Sequence, residues 1–401
     1  MFDLIDSPVE AKLLDAPPYK ELSIKVSTVD SQKRSWSNVF SVQADSSGTV
    51  DLTAACQVHD KFPWDSHALV HQLAAEERTR WTNWISFTLQ PLTILVEAFD
   101  REGKRLAYTE YVRSPVGPGV KMIEIRSDGV VGNLFIPSHS VDSRGVLVVP
   151  GAWGGLDWSN QVAAIIASHG RPAMALAYFD WQAEFGLQNR IENVPLEYLT
   201  KASGLLRSMP CADSGWITVI GMSKGAEYVM AWASFGGQVD EIIALSPSLY
   251  TWESVRLDGE AYAQSSWTLE GEPLPFLCFD ADEEFYRTLD KTLLQKFHER
   301  AVSDAGMDSP ARIPVERISA RMLLIAQAED TLWPASSMAG NIVSIRMRHS
   351  SGADVERVVV PGRGHAMFVS GVPANGVDAS SRENGLAQTE VWSRILRFLD
   401  I

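Results

Sequence analysis

Residues Trp216–Ser234 read WITVIGMSKGAEYVMAWAS. A hydrophobic run over Ile217–Ile220 stops at Gly221, and a single serine stands between two glycines. The apolar residues Ala226, Val229, Met230 and Ala233 then fall at helical intervals. A serine that acts as a nucleophile at the end of a central parallel strand must sit on a sharp strand-to-helix turn. Glycine is needed two residues before and two after it, because side chains there would collide. Gly221-Met222-Ser223-Lys224-Gly225 has that form. Five residues of this kind occur often by chance, and a serine between glycines is usually only a turn. The strand before it and the helix after it give the motif its meaning, since they put Ser223 at a helix N-terminus, where backbone N–H groups favour developing negative charge.

A serine hydroxyl near neutral pH needs a base to take its proton, and the base needs an acid to orient it. Behind this kind of turn the partners follow in the order serine, acid, histidine. Of the eight histidines, His59, His67, His71, His139 and His169 precede Ser223 and are excluded by order. His298 lies in a helical stretch, KTLLQKFHER, and His349 in the polar run RMRHSSG. His365 remains, in a glycine-flanked loop just past the buried-type strand of VERVVVPGRGHAM. The acid should follow the preceding strand, where MLLIAQAEDTLWP offers Glu329 and Asp330. Asp330 is the choice, because it stands immediately before a short turn, Thr331–Pro334, that leads back into helix; Glu329 is the alternative. Two backbone N–H donors are also needed for a tetrahedral oxyanion. Lys224 supplies the first by position, and the loop Gly151–Gly155 after VLVVP supplies the second from Ala152, with Trp153 next in order.

Outward from this turn, the short runs GVLVVPG, PAMALAYF, WITVIGM, DEIIALSPS, ARMLLIAQ and VERVVVPG alternate with helical segments such as SNQVAAIIAS. Continuous apolar strands alternating with helices predict a mostly parallel sheet covered on both faces, the α/β-hydrolase arrangement. The segment KMIEIRSDGVVGNLFIP, which precedes them, is expected to form a hairpin. From Glu21 to Arg113 the pattern is instead short alternating runs with turns at Ser46-Ser47-Gly48 and Arg101-Glu102-Gly103, which predicts a small β-sandwich. The segment SPVGPG, Ser114–Gly119, marks the boundary. The expected organisation is a sandwich over 1–115 and a catalytic domain over 116–401, with a cap-like insertion at about 249–312 carrying Trp252, Trp267 and Phe276.

Bulk properties narrow the function. The chain has 401 residues, 45% hydrophobic and 21% charged, enough for a real core. A net charge of −15 speaks against nucleic acid, which wants a basic face, and opposes at long range any polyphosphate carrier that lacks a local basic patch. Cys56, Cys211 and Cys278 have neither disulfide-framework nor metal spacing, so reduced, mostly buried thiols are expected, with no metal and no cofactor. Asp3 and Asp6 occupy the place where a secretory leader is basic, and no stretch approaches the roughly 18–20 apolar residues of a membrane span. A cytoplasmic location is the expectation.

The order and spacing of GNLFIP (Gly132–Pro137), MALAYFDW (Met174–Trp181), GMSKGAE, IPVERISARMLLIAQAEDTLW, VVVPGRGHAM and the final LAQTEVWSRILRFL resemble the acyl-CoA thioesterases grouped with bile acid-CoA:amino acid N-acyltransferase. The resemblance covers nearly the whole chain and implies a triad on Ser223, Asp330 and His365. It implies hydrolysis of a small-molecule acyl thioester, carried on coenzyme A or on an acyl carrier protein. Two departures stand out. The loop AMFVSGVPANG after His365 is smaller than the aromatic and proline-rich segment usual in the family, and the chain ends in FLDI without a peroxisomal tail. Competing expectations are acyl transfer to an amine or alcohol, an esterase or peptidase of the dienelactone-hydrolase or prolyl-oligopeptidase kind, and a non-catalytic binding protein on the same scaffold.

Overall fold

The computed structural model describes residues 2–53, 67–75, 84, 87–255, 263–279, 293–349, 354–367, 369–374 and 381–401. They form two compact units: Pro118–Met367 with Ile395–Ile401, and Met1–Gly117 with Phe368–Arg394. The chain passes from the second to the first between Gly117 and Pro118, and the segment after His365 groups with the N-terminal residues.

The larger unit is an α/β-hydrolase fold. Its main sheet has eight strands, which in chain order are β1 Lys121–Ser127, β2 Val130–Ile136, β3 Gly145–Val149, β4 Ala173–Ala177, β5 Ile217–Met222, β6 Glu241–Leu245, β7 Arg321–Glu329 and β8 Val355–Arg363. Across the sheet the order is β1-β2-β4-β3-β5-β6-β7-β8. The first two pairings are antiparallel. All the rest are parallel. Every residue of β3, β4, β5 and β6 is buried. This is why they read as unbroken apolar runs: a strand covered on both faces has no position for a solvated side chain. Its helices are α1 Asp157–Ser168, α2 Glu197–Arg207, α3 Lys224–Ser234, α4 Leu294–Ala305 and α5 Ala335–His349, while α6 Ser381–Phe398 belongs to the other unit as far as Arg394. None of the described helices is long and apolar enough to cross a membrane.

A long insertion separates β6 from β7. One of its segments, Trp267–Leu269, is the central strand of a three-stranded sheet, between Val194–Pro195 on one side and Glu272–Pro273 on the other. Trp252 and Trp267 are buried within the core cluster of the unit, and Phe276 is half-buried. Cys211 is half-buried, whereas Cys278 in this insertion is exposed, contrary to the expectation of burial; Cys56 lies outside the described residues.

The N-terminal unit is a β-sheet domain. Six strands are arranged as Phe2–Leu4, Arg105–Ser114, Leu92–Phe99, Glu21–Val29, Ser35–Gln43 and Ala74–Ala75. Leu22, Ile24, Val26 and Thr28 are buried in alternation with more open neighbours, the mark of a sheet with one face toward a core. Arg101-Glu102-Gly103 closes a hairpin as its sequence predicts. The bend at Ser46-Ser47-Gly48 does not. It sends Val50–Asp51 to pair with Lys12–Leu13 in a separate two-stranded sheet. The cause is local: the Ala16 N–H donates to the Gly48 carbonyl at 2.9 Å, and a Cβ at Gly48 would lie 2.2 Å from the Ala16 oxygen. The later segment of this unit is held by equally close contacts. The Trp392 indole donates to Asp6 Oδ2 at 2.7 Å and the Gln388 amide donates to the Val369 carbonyl at 2.7 Å.

At the N-terminal ends of the parallel strands, Arg171 is wholly buried. Its guanidinium donates to the Arg144 and Leu399 carbonyls at 3.2 and 2.9 Å and to Thr218 Oγ1 at 3.2 Å. Thr218 Oγ1 donates in turn to Glu241 Oε2 at 2.7 Å. Burial pushes the guanidinium down to about 10, so it keeps its charge at neutral pH. Removing it strands the Leu399 and Arg144 carbonyls and leaves Thr218 Oγ1 without its buried donor. Arg171→Leu is therefore expected to lower unfolding stability by about 2–4 kcal/mol. Denaturant titration checks this, and an unchanged midpoint would refute the role given to the network.

Candidate active site

The strand-to-helix turn at Ser223 is sterically forced. Ser223 follows β5 directly, heads α3, and has φ 55° and ψ −120°. That backbone is uncommon for a residue with a side chain and costs roughly 1–3 kcal/mol, so its surroundings must hold it. They do so by contact. A Cβ on Gly225 would lie 2.3 Å from the Pro150 oxygen and 2.7 Å from the Val149 oxygen; one on Gly221 would lie 2.7 Å from the Gly225 oxygen. The Ser223 N–H donates to the Leu245 carbonyl at 2.8 Å, and its carbonyl accepts from the Glu227 N–H at 3.0 Å. Only 5% of Ser223 is exposed.

Beyond the ends of β7 and β8, Asp330 and His365 come to Ser223. Ser223 Oγ donates to His365 Nε2 at 2.7 Å, and His365 Nδ1 donates to both carboxylate oxygens of Asp330 at 2.9 Å each. The carboxylate fixes which ring nitrogen carries the proton. Asp330 is buried, and its Oδ1 also accepts the N–H groups of Leu332 and Trp333 at 2.9 and 3.2 Å. Glu329 stays on the last position of β7, exposed and opposite Arg363. Two further bonds lock the loops together: Gly364 N–H to the Glu329 carbonyl at 3.1 Å, and Thr331 N–H to the Gly364 carbonyl at 3.3 Å.

Three supports of this geometry escape a motif reading. The Trp333 ring stands edge-on to the His365 ring, with centroids 5.2 Å apart and planes at 88°. The Ser246 hydroxyl donates to the His365 carbonyl at 2.7 Å. The Trp181 indole donates to the Ala152 carbonyl at 2.8 Å. The aromatic in TLWP, directly after the acid, was the available signal for the first; the other two join residues far apart in sequence and leave none.

The oxyanion candidates lie where the order of the sheet requires. β3 is the neighbour of β5, with Val149 opposite Gly221, so the loop after β3 runs beside Ser223. A Cβ on Gly151 would come within 3.3 Å of Ser223 Cβ. Ala152 is half-buried, Trp153 is exposed, and Lys224 is the first residue of α3.

The side chain of Lys224 is a surprise. It is buried, with Nζ 2.9 and 2.8 Å from the two carboxylate oxygens of Glu227, itself fully buried. Glu227 Oε1 also accepts the Trp252 N–H at 2.8 Å and the Trp267 indole N–H at 2.6 Å. Burial lowers the Lys224 ammonium and raises the Glu227 carboxyl, and the attraction between them opposes both shifts. Of the histidines set aside, His349 ends α5 with Nδ1 donating to the Ile345 carbonyl at 2.9 Å. His298 sits in α4 between the Trp252 and Phe279 rings, where burial pushes it down to about 4 and keeps it neutral. Among the described residues no group of His, Cys, Asp and Glu could hold a metal ion. Chemically, the arrangement can move a proton from a buried serine at the head of a helix to a histidine that a carboxylate orients.

Residues 194–400 match the family model described as BAAT / acyl-CoA thioester hydrolase C terminal, and residues 6–127 match the acyl-CoA thioester hydrolase/BAAT N-terminal region. Among curated proteins, acyl-coenzyme A amino acid N-acyltransferase 2 of Mus musculus is 26% identical, over 98% of this chain and 94% of its own. Mouse mitochondrial acyl-coenzyme A thioesterase 2 is 22% identical over 98% and 86%, and mouse peroxisomal succinyl-coenzyme A thioesterase 24% over 80% and 73%. With more than half its length matched by one model and most of the rest by its companion, the chain belongs to the BAAT / acyl-CoA thioester hydrolase family.

Proposed function

We propose that this chain hydrolyses acyl thioesters of coenzyme A through an acyl-Ser223 intermediate. The observation that carries the reading is the unbroken hydrogen-bonded line from Ser223 Oγ through His365 to Asp330, at the head of a helix. In the first half-reaction His365 Nε2 takes the hydroxyl proton as Oγ attacks the thioester carbonyl. The oxyanion is met by the N–H groups of Lys224 and Ala152, with Trp153 as the alternative second donor. Collapse expels the thiolate of coenzyme A, which takes the proton back from His365. Water then repeats the sequence on the acyl-serine ester. Asp330 holds the ring and stabilises the imidazolium. The relatives' names support coenzyme A as the carrier and lend nothing to an acyl carrier protein. In this reading all the catalytic groups lie in the chain after residue 116, and the N-terminal domain over about 1–115 supplies none.

Two predictions follow from these roles. Ser223→Ala and His365→Ala should each lower turnover of a medium-chain acyl-CoA by about 10⁴-fold or more, because the members act as a unit. Asp330→Asn should cost about 10³–10⁴-fold, while Glu329→Gln, exposed at the strand end, should stay close to wild type. A thiol-release assay measures all four, with circular dichroism to confirm folding. Equal damage from Glu329→Gln and Asp330→Asn would remove Asp330 from its role.

The second concerns the acceptor, because some relatives are named as N-acyltransferases. An acyl-serine is an ester with strong carbonyl resonance, and it favours amines over abundant water less than a cysteine thioester would. Offered glycine, taurine or a simple alcohol at millimolar concentration, the enzyme should still release free acid by about tenfold over conjugate. Mass spectrometry of the products decides, and conjugate as the main product would replace hydrolysis with transfer.

A further inference from the structure

The loop Gly151–Gly155 offers the oxyanion two peptide N–H groups, those of Ala152 and Trp153, and each belongs to a peptide unit whose carbonyl is held. A trans peptide is planar, with its N–H directed opposite to its C=O, so fixing the carbonyl fixes the direction of the donor. For the Ala152 N–H the held carbonyl is that of Gly151, which accepts the Gly154 N–H at 3.2 Å within the loop itself. For the Trp153 N–H it is that of Ala152, which accepts the Trp181 indole N–H at 2.8 Å. That second bond arrives from the segment after β4, which flanks β3 on the side away from β5. The segment is well anchored. The Trp181 ring meets the Phe179 ring edge-on, with centroids 5.3 Å apart and planes at 90°. Between them Asp180 is buried, and its carboxylate oxygens accept the N–H groups of Gln182 and Glu184 at 3.2 and 2.7 Å. Phe179 also holds the far end of the loop: its carbonyl accepts the Gly155 N–H at 3.0 Å, and a Cβ on Gly154 would lie 2.7 Å from its ring. At the near end, a Cβ on Gly151 would lie 3.1 Å from the Met222 oxygen. The loop is therefore clamped between the Ser223 turn and the segment Phe179–Trp181.

We propose that Trp181 is a positioning residue of the oxyanion hole: its indole N–H holds the Ala152 carbonyl and so sets the direction of the donors that the loop presents beside Ser223. The inference rests on the reading above, in which Ser223 is the nucleophile and this loop supplies the second donor. The need for such a hold is physical. Gly154 and Gly155 have φ 68° and 57°, and glycines at such positions leave a loop free to turn its peptides unless something outside it prevents this. A donor to an oxyanion acts only when its direction is set before the charge develops. A bond on the Ala152 carbonyl also makes the N–H of the same peptide a stronger donor, because hydrogen bonds in a chain polarise one another. Since the oxyanion forms in both half-reactions and is absent from the bound ground state, loss of the indole N–H should slow acylation and deacylation alike and leave substrate binding in place.

The test removes the N–H and keeps the ring. Trp181→Phe does this with a smaller ring, and benzothienylalanine incorporated at position 181 does it in the shape of tryptophan, with sulfur in place of the indole N–H. Each should lower kcat on a medium-chain acyl-CoA by about 10–100-fold, less than the loss of a donor outright, with KM within about twofold of wild type. A trifluoromethyl ketone analogue of the substrate, which adds reversibly to a serine hydroxyl to give a tetrahedral oxyanion, should bind more weakly by about the factor lost from kcat/KM. A tryptophan that served packing alone would lower thermal stability in Trp181→Phe and leave the benzothienyl enzyme at wild-type kcat. That result would overturn the proposal. So would a loss confined to KM, or a lower kcat with undiminished affinity for the ketone. A fluorophosphonate probe applied to wild type separates this from the underlying reading. If Ser223 is not labelled, the nucleophile falls and the proposal with it. If Ser223 is labelled and the benzothienyl enzyme turns over like wild type, only the role of Trp181 falls.

Discussion

The site depends on one steric constraint, the left-handed backbone at Ser223. It can exist only because Gly225 lets α3 approach the end of β3 so closely that a single added carbon would overlap the Pro150 oxygen. That approach does two things together. It turns the serine hydroxyl out of the sheet toward the loops, and it brings the first N–H groups of α3 alongside the loop after β3. Relaxing the turn would lose the direction of the hydroxyl and the pairing of donors at once. The cost of the strained residue is borne by hydrogen bonds at its two ends, to Leu245 and from Glu227, and by the burial of the whole of α3.

Everything else at the site follows from parallel strands ending at the same edge. Loops after β3, β5, β6, β7 and β8 all emerge there, so residues from five distant stretches meet without any one having to travel far. The loops are then tied to one another rather than left to their own stiffness. Ser246 holds the backbone of His365, Gly364 bonds to both sides of the acid loop, and Trp333 braces the imidazole while the N–H beneath it bonds to Asp330. Such cross-bonding explains how a loop with glycines at positions 362 and 364 can hold a histidine to within hydrogen-bonding distance of its partners.

How much of this could be read from the chain alone varies with the range of the force involved. The strands of the main sheet were legible, because burial on two faces leaves an unmistakable run such as Val146–Val149. The turn at Ser223 was legible because its sterics are local. Choosing between Glu329 and Asp330 needed more than pattern: the two are adjacent, and only the register with Arg363 puts the first outside while the tight turn carries the second inward. The bend at Gly48 misled because a glycine turn looks the same whether the chain returns to its own strand or is captured by Ala16. Glu227 gave a faint signal, an acid on a helix otherwise free of them, but its tryptophan partners lie 25 and 40 residues on and could not be paired with it in advance.

One topological feature governs how the molecule must be made. The unit that begins the chain is completed by residues 368–394, which leave the ribosome only after β8 and His365. During synthesis the N-terminal sheet therefore waits, lacking the segment that carries Gly371, Gln388 and Trp392, while the whole of the β1-to-β8 region emerges and folds. The first part translated is the last finished. A truncation after residue 117 removes that segment, and deletion of residues 1–117 leaves the same segment without Asp6 and His71, to which Trp392 and Ala374 bond. Neither cut follows the division of the molecule into its two units.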